Sequence, residues 1–457
     1  MQKIESLISE SLGIHEVSIT DDLSYQSISQ WDSLGHIRLL LSIEREWDIK
    51  IDEKSILNLT SVSKIKSYLK QEDERQSGQG VEQSKEVKKN TKKIYRGLNE
   101  VHYDITEITH IDGEHGMLFH RGFSIDTLIK HSSFEELAFL LLYGKLPTIE
   151  EFTTFKDFLN NKRKVNDSLL LFISQIKYLS PTDALRTIVS AFPLFNVAEE
   201  DLELVLVAQL PLIIGAYNAI RYNKEPFHFS ESDLSHAAHF LFLLTGKKPS
   251  PLEEHIFERV LMLQADHDSN ASTFTARIAI GAGADFLSAI SAAISTFSGV
   301  LHGGAIEKVM SMLREIKEPI YAATYIKERL DQGLPIYGYG HRVYRTQDPR
   351  SVLMYEFVRY LAKEKKDTKY LQILEKIRET MEPYAKYGLE VNVDFYAAVI
   401  YHLLGIPDDM FVSVFITSRI VGWAAQIKEQ KSNNILIRPK LHFVGSLDTP
   451  YIPLDQR

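Results

Sequence analysis

The chain has 457 residues, enough for two or three domains, and its composition of 44% hydrophobic and 25% charged residues is typical of soluble globular proteins. It contains no cysteine, which excludes disulfides, zinc–thiolate sites, iron–sulfur clusters and a cysteine nucleophile. A formal charge of −9 argues against nucleic acid as the main partner, and the acidic N-terminal segment does not read as a secretion signal. We therefore expect a cytoplasmic protein without a nucleic-acid or membrane partner.

Residues 1–72 are predicted to form a compact bundle of three or four short helices. Their apolar side chains recur at helical spacing in three groups, at 4–12, 34–41 and 62–69. Residues 73–93 follow with only two aliphatic side chains, too few to bury a core, so we interpret them as a flexible linker. The lysine-rich end of this segment could attract nucleic acid, but its interleaved polar and acidic residues favour a solvated spacer.

Ser33 stands at the start of the second predicted helix, where a serine ordinarily caps the helix. The surrounding sequence, from DDL at 21–23 through QWDSLGHIRLLLSIEREWDIKI, resembles an acyl carrier protein across residues 1–72. The resemblance implies a small four-helix carrier bundle in which a phosphopantetheinyl transferase attaches phosphopantetheine covalently to Ser33. Arg38 and Arg45 make the helix after the serine less acidic than is usual in that family.

Residues 94–457 have a mostly helical pattern with one β-hairpin signal near their start. In residues 107–119, an Asp112-Gly113 turn separates alternating side chains. Four nearby histidines could suggest a metal site, but a hairpin would spread them over different faces and their spacing is not that of metal ligands. They are His102, His110, His115 and His120. We therefore predict a hairpin with exposed polar positions and no metal.

Two apolar stretches have alternative interpretations. Residues 202–220 are the most membrane-like, but they include Glu203 and Pro211 and barely reach spanning length, which favours a buried, proline-kinked helix. Residues 271–301 are rich in alanine, glycine and serine, which let helix backbones approach closely. This second stretch predicts a tightly packed helix pair, a subunit interface or an ordinary buried helix.

Two clusters in the middle of the chain combine groups that bind carboxylates or move protons. The string ADHDSNAS at 265–272 presents His267 and Asn270 just before the small-residue stretch. The string LHGGA at 301–305 places His302 beside two glycines, where a ligand could approach the backbone closely. Each histidine alone is most simply explained as a buried core residue.

Two further clusters lie closer to the C-terminus. The string GYGHRVYR, continued by DPR, brings together His341, Arg345 and Arg350. The string NVDFY at 392–396 sets Asp394 among apolar neighbours, where desolvation could tune its carboxylate as a base. Taken singly, the arginines are explained as surface ion-pair partners and Asp394 as a helix cap.

The four clusters in this order, followed by Ser418-Arg419 and IRPK at 437–440, resemble citrate synthase across nearly all of residues 94–457. The resemblance implies an all-α fold with a large domain and a small subdomain at about 307–394 that closes over it. It also implies acetyl-CoA and oxaloacetate as substrates, no metal or redox cofactor, and a homodimer or higher oligomer.

The same resemblance implies a role for each clustered residue. Asp394 would remove a proton from the methyl group of acetyl-CoA, His302 would stabilise the enolate, and His341 would polarise and protonate the ketone of oxaloacetate. Oxaloacetate would be bound by His267, Asn270, Arg350, Arg419 and Arg438, the last contributed by a neighbouring subunit. Arg345 matches a position that binds a CoA phosphate.

Three functions remain open at this stage. The first is citrate synthase activity on free CoA thioesters, with a fused carrier domain. The second is condensation of a carrier-bound or other acyl thioester, such as the propionyl group used by 2-methylcitrate synthase, with a 2-oxo acid. The third, a non-catalytic carrier scaffold, is disfavoured because the catalytic set is complete. Three departures from the family pattern leave the acyl donor open: Asp268, Val300 and Ile306.

Overall fold

The computed structural model describes residues 2–25, 27–28, 30–77, 94–98, 101–195, 201–226, 234–447 and 449–457. Its first part, which we call the N-terminal unit, consists of the helices α1 (Gln2–Leu12), α2 (Ser33–Trp47), α3 (Glu53–Asn58) and α4 (Val62–Ser77). Helices α1, α2 and α4 coincide with the three apolar groups found in the sequence.

The N-terminal unit has its own buried core and polar ties between its helices. Ile8, Trp31 and Ile65 are fully buried, and Lys66 on α4 binds Glu5 on α1 at 2.7 Å. Helix α4 continues to Ser77, five residues into the predicted linker, because this stretch is rich in glutamate, glutamine and arginine, which are good helix formers. The rest of the predicted linker, 78–93, lies outside the described residues.

The predicted β-hairpin is confirmed, and a third strand extends it. Strands β1 (Thr109–Asp112), β2 (Met117–His120) and β3 (Phe123–Ser124) form an antiparallel sheet in chain order. The turn is longer than an Asp-Gly pair, because Asp112 pairs with Met117 and residues 113–116 form the loop. The Asp112 carboxylate stabilises this loop by accepting hydrogen bonds from the backbone N–H groups of Glu114 and His115 at 3.1 and 3.0 Å.

The remainder of the described chain is helical. The helices that precede the first histidine cluster are α5 (Ile125–His131), α6 (Phe134–Tyr143), α7 (Ile149–Lys162), α8 (Asp167–Gln175), α9 (Pro181–Ala191), α10 (Leu202–Arg221), α11 (His236–Thr245) and α12 (Pro251–Gln264). Those that follow it are α13 (Ala271–Gly281), α14 (Phe286–Phe297), α15 (Ala305–Ile316), α16 (Pro319–Asp331), α17 (Pro349–Lys365), α18 (Lys369–Met381), α19 (Val393–Leu403) and α20 (Phe411–Ser432).

Helix α20 lies at the centre of this helical body, packed against α6, α10, α12, α13 and α14. By length and composition, α10 and the segment 408–432 could each cross a membrane, but 78% and 100% of their apolar stretches are buried inside the protein. Helix α10 includes Pro211 and has buried side chains along most of its length, as predicted. The small-residue stretch forms α13 and α14, which pack closely on each other.

Helices α15 to α19 pack on one another at one end of the body, through α16 with α18, α17 with α19 and α15 with α19. Their shared core includes the fully buried Met310, Met354 and Ile373. The predicted small subdomain, about 307–394, spans most of this group. The four predicted clusters lie between α12 and α13, between α14 and α15, between α16 and α17, and at the start of α19, so helix ends position the functional side chains.

Candidate active site

The first cluster lies between α12 and α13. His267 is buried, and its Nε2 lies 3.3 Å from the hydroxyl of Tyr344. Burial, together with the charges of Arg350 and Arg419, holds the pKa of His267 well below its ordinary value, so this imidazole is neutral. Asn270 is the N-cap of α13, and its side-chain oxygen accepts a hydrogen bond from the backbone of Thr273 at 3.2 Å.

His302 lies in the loop between α14 and α15, with its Nε2 2.9 Å from Oγ of Ser272. The backbone N–H of Ser272 also donates to this nitrogen at 3.3 Å, so Nε2 is an acceptor and the proton is on Nδ1. Burial and the charge of Arg419 lower the pKa of His302 to about 3. His302 is therefore a neutral imidazole whose Nδ1–H has no acceptor among the residues that the structure describes.

His341 has the opposite tautomer. Its Nδ1 accepts hydrogen bonds from the backbone N–H groups of Val343 and Tyr344 at 3.0 and 3.1 Å, which places the proton on Nε2. Burial lowers its pKa to about 4, against the opposing charge of Asp348. Its ring centroid is 5.2 Å from that of His267, so the third cluster joins the first.

Backbone pairing ties the segment that bears His341 to the segment that bears Asp394. The N–H of Gly340 donates to the carbonyl of Glu390 at 2.8 Å, and the N–H of Asn392 donates to the carbonyl of Gly338 at 2.9 Å. The Asn392 side chain donates to the Gly340 carbonyl at 3.0 Å and accepts from the N–H of Asp394 at 3.0 Å. The relative positions of the acid and base residues are thus fixed by hydrogen bonds.

Asp394 is in the first turn of α19, and its Oδ1 is buried with no hydrogen-bond partner in the described part of the chain. Burial raises the pKa of this carboxyl to about 7, while the guanidinium of Arg350 acts in the opposite direction. Its charge also interacts with that of Arg419. A carboxylate with a pKa near neutrality and an unpaired oxygen is suited to act as a general base.

Two buried arginines supply positive charge to the same site. Arg350 binds Asp348 through Nε at 3.0 Å and Nη2 at 2.7 Å, which leaves its Nη1 side unused by that carboxylate. Burial favours the neutral form of Asp348, but the adjacent Arg350 outweighs it and lowers the pKa of Asp348. Arg419 on α20 donates to the Gln264 carbonyl at 2.6 Å, and burial lowers its pKa to about 10.

The prediction of exposed polar positions on the hairpin is wrong for His120, which the structure places in or behind this site. His120 on β2 is fully buried, its Nε2 has no hydrogen-bond partner among the described residues, and the charges of Arg350 and Arg419 act on it. Its Nδ1 lies 2.8 Å from Oγ1 of Thr109, which donates to Asp266 at 2.6 Å. A histidine at the end of a predicted strand was a usable signal, but Asp266, the carboxylate that Thr109 binds, lies about 150 residues away in the chain.

Three predicted residues lie apart from the buried group. Arg345 is exposed in the loop before α17, and its backbone N–H donates to the carbonyl of Gly113 at 2.8 Å. Arg438 is exposed in the extended C-terminal segment that follows α20. Ser33 is the first residue of α2 in the N-terminal unit.

Together, the group contains a carboxylate base, three neutral imidazoles, of which His302 and His341 have opposite tautomers, and two guanidiniums. This combination can bind a dicarboxylate, remove a proton from carbon and donate hydrogen bonds to the resulting oxyanion. Among the described residues, no group of three histidine, aspartate or glutamate side chains could hold a metal ion.

Comparisons with known proteins agree with this arrangement. A family model described as "Citrate synthase, C-terminal domain" matches residues 97–440. The citrate synthase of Haloferax volcanii is 36% identical over 378 residues, covering 80% of this chain and 99% of that protein. The 2-methylcitrate synthase 1 of Corynebacterium glutamicum is 35% identical, covering 80% and 98%. The solved ternary complex of Thermoplasma acidophilum citrate synthase with carboxymethyl coenzyme A and oxaloacetate aligns with a TM-score of 0.75 at 27% identity, covering 80% and 100%.

Proposed function

Because the chain belongs to the citrate synthase family, we propose that it condenses acetyl-CoA with oxaloacetate and hydrolyses the citryl thioester to citrate and CoA. One observation supports this reaction most directly. A carboxylate with a pKa of about 7, Asp394, shares one site with two neutral imidazoles whose donor nitrogens differ. Enolate chemistry needs this combination of one base and two hydrogen-bond donors.

In the first step, Asp394 accepts a proton from the methyl carbon of the acetyl thioester. The electron pair of that C–H bond moves toward the thioester oxygen, which receives a hydrogen bond from Nδ1–H of His302. In the second step, the enolate carbon attacks the ketone carbon of oxaloacetate, and His341 donates its Nε2 proton to the alkoxide. Asp394 then returns its proton and restores the neutral His341. Water adds to the thioester carbon, its hydroxyl group stays in the new carboxylate, and CoA leaves as the thiol.

We assign the oxaloacetate carboxylates to the guanidiniums of Arg350 and Arg419, with the neutral His267 beside them. Planar guanidiniums suit bidentate carboxylate recognition, and burial strengthens that electrostatic attraction. We also assign Asn270 to the oxaloacetate site, where its cap on α13 orients the loop that bears His267.

We further propose that the active form is a homodimer or higher oligomer in which Arg438 completes the site of the neighbouring subunit. Arg438 lies on a C-terminal segment whose large apolar side chains are exposed, including Leu441 at 100%, Val444 at 88% and Tyr451 at 80%. Exposed apolar side chains in this number are typical of a surface that a partner covers. The partner here is a second copy of this chain.

The first test is thiol release from acetyl-CoA in the presence of oxaloacetate, using the full chain made without a phosphopantetheinyl transferase. Because the chain has no cysteine, a thiol reagent reports CoA alone. We expect sustained release that depends on oxaloacetate. If circular dichroism shows a folded protein and acetyl-CoA still gives no thiol release, the proposed reaction is refuted.

A second candidate is condensation of propionyl-CoA, which the similarity to the Corynebacterium 2-methylcitrate synthase favours. The catalytic residues do not distinguish the two donors, because both present an acidic C–H next to a thioester. The ratio of kcat/KM for acetyl-CoA and propionyl-CoA decides between them. A ratio that favours propionyl-CoA would reassign the acyl donor and leave the roles of Asp394, His302 and His341 unchanged.

We also propose that residues 1–72 are an acyl carrier domain, followed by a linker at 73–93 and the synthase at 94–457 with its small subdomain at about 307–394. The helices α1 to α4 and the position of Ser33 as the first residue of α2 support the carrier assignment. A helix N-terminus is electrostatically favourable for a phosphodiester, so Ser33 would hold phosphopantetheine. That group would supply a thiol that the chain itself lacks.

Mass spectrometry tests the carrier assignment directly. After incubation with CoA and a phosphopantetheinyl transferase, we expect the chain to gain the mass of one phosphopantetheine. The Ser33→Ala variant should show no gain, whereas Ser27→Ala should gain the mass as the parent chain does. A parent chain that stays unmodified would refute attachment at Ser33 without affecting the citrate synthase proposal.

A further inference from the structure

The N-terminal unit packs against the synthase on the side that bears Arg345. Arg38 on α2 meets the loop after α16: a methyl group placed on Gly333 would lie 2.2 Å from Nη1 of Arg38. The guanidinium therefore occupies the space directly beside this backbone, which glycine alone leaves open. Gly333 also has a φ of 66°, a conformation that glycine adopts without strain.

A second contact lies on α3. This helix packs against the short 3₁₀ helix Glu382–Tyr387, which follows α18. The buried Ile56 belongs to α3, and Tyr387 at the end of the 3₁₀ helix is also buried. Two separate elements of the N-terminal unit, α2 and α3, therefore contact two separate segments of the synthase.

The first turns of α2 lie close to Arg345. His36, one turn after Ser33, accepts a hydrogen bond from the indole N–H of Trp31 at 3.1 Å. Burial lowers the pKa of His36 to about 4. A hydrogen bond with the backbone of Ile56 raises this pKa, and the positive charge of Arg345 lowers it further. Arg345 is thus within electrostatic reach of the helix that begins at Ser33.

From these contacts we infer that the N-terminal unit docks in cis on the synthase surface at Gly333, 382–387 and Arg345, where it competes with free CoA. The inference rests on the proposed function, with Arg345 binding a CoA phosphate as the family resemblance implies. The docked unit lies within electrostatic reach of Arg345, where the nucleotide part of CoA would bind, so only molecules with the unit released bind CoA fully. The apparent affinity for acetyl-CoA falls in proportion to the released fraction.

The contact is suited to open and close. The N-terminal unit is held by two local contacts, one of Arg38 with the backbone at Gly333 and one of α3 with 382–387. The unit is also tethered to the synthase, so release does not separate the two and docking is restored readily.

Arg38→Ala in the full-length chain, made without a phosphopantetheinyl transferase, tests the inference. Removing the guanidinium should release the unit and lower KM for acetyl-CoA by about threefold to tenfold at unchanged kcat, because the competent fraction rises. Arg45→Ala is the matched control, since Arg45 is an exposed arginine on the same helix. We expect its KM to equal that of the parent chain.

Hydrogen exchange on the same three proteins provides a readout independent of activity. Backbone amides in 382–387 should exchange faster in Arg38→Ala than in the parent chain and in Arg45→Ala. Unchanged KM and unchanged exchange in Arg38→Ala, or equal effects of both substitutions, would overturn the docking inference. Absence of turnover in all three proteins would instead count against the proposed function, and the exchange rates would still decide whether the unit docks.

Discussion

At the scale of single residues, the pKa of Asp394 determines how the site works. The pKa of this carboxyl is about 7 because burial disfavours its charged form. The nearby guanidiniums of Arg350 and Arg419 favour the charged form and only partly offset burial. His302 and His341, with pKa values of about 3 and 4, stay uncharged when Asp394 ionises. One group therefore titrates near pH 7, and three act together in the reaction.

Asp394→Asn should lower kcat by roughly 10²-fold to 10⁴-fold, because the amide cannot accept the proton from the acetyl methyl group. Steady-state thiol release measures this loss. Glu390→Gln is a suitable control, since Glu390 lies on the same segment and contributes only its backbone carbonyl to the pairing with Gly340. A turnover near the parent value in Asp394→Asn would remove Asp394 from the role of base.

The pH dependence of kcat/KM should show one acidic limb with a midpoint near 7. Below that pH the rate should fall by about tenfold per unit, because only ionised Asp394 accepts a proton. The histidines are neutral throughout this range and add no inflection. The profile between pH 5 and 9 is the measurement, and a rate that does not fall between pH 7 and pH 5 would contradict the raised pKa.

The same carboxyl should cost stability at high pH. Its pKa is about 7 when folded and near 3.8 when unfolded, so stability is lost as pH rises from about 4 to about 7. Asp394→Asn removes that cost and should raise the free energy of unfolding by about 1 to 3 kcal/mol at pH 8. Denaturant unfolding at pH 5 and pH 8 should show a gain that grows with pH; an equal gain at both would contradict this cause.

At the scale of elements, close helix packing holds the site in place. A methyl group on Gly422 of α20 would lie 2.2 Å from the carbonyl oxygen of Ala265 and 2.6 Å from Oδ1 of Asp266. These two residues lead directly to His267. The crossing of α20 over this backbone therefore sets the position of the first cluster.

Gly422→Ala should destabilise the fold by about 1 to 3 kcal/mol, because an added methyl group forces the helix and the backbone apart. It should also raise KM for oxaloacetate, since His267 moves with Ala265. Gly215→Ala is the control: its methyl group would lie 2.7 Å from Cβ of Leu243, so it is also crowded but lies away from the site. We expect Gly215→Ala to lower stability and keep KM, as measured by denaturation and by turnover against oxaloacetate.

The sequence predicted the helices and strands better than it predicted which residues contact one another. The alternating residues around Asp112 predicted the hairpin, but not the hydrogen bonds from Glu114 and His115 that lengthen its loop. The strings around His302 and Asp394 located both residues, because their order along the chain is specific. Nothing local to Ser272 indicated that it would lie 2.9 Å from a histidine 30 residues later. Contacts between distant segments depend on tertiary packing, which local patterns in a single sequence do not reveal.

At the scale of the whole molecule, the exposed C-terminal segment leaves each proposed site incomplete within one chain. Arg438 lies on that segment, and the structure does not bring it into the buried group of Arg350 and Arg419. The proposed oligomer explains both features at once. The segment gains a surface that covers its apolar side chains, and the site of the neighbouring chain gains a third guanidinium.

Subunit complementation tests this arrangement. Arg438→Ala and Asp394→Asn should each be nearly inactive alone, but co-expression should restore about one quarter of the parent activity. Hybrids are then half of all dimers, and in each hybrid one of two sites has both Asp394 and the neighbour's Arg438. Activity that stays at the sum of the two single variants would show that Arg438 acts within its own chain.

The distance along the chain between the parts of the site has a consequence for synthesis on the ribosome. The core of the N-terminal unit is complete once α4 has emerged, whereas Asp266 receives hydrogen bonds from Thr109 on β1 and from Gln426 on α20. At a synthesis rate of about 5 to 20 residues per second, Gln426 is added roughly 20 to 70 s after the end of the N-terminal unit. Throughout that interval the nascent chain exposes the apolar faces that α20 later covers. The late synthesis of α20 therefore determines how long the growing protein must be protected from aggregation.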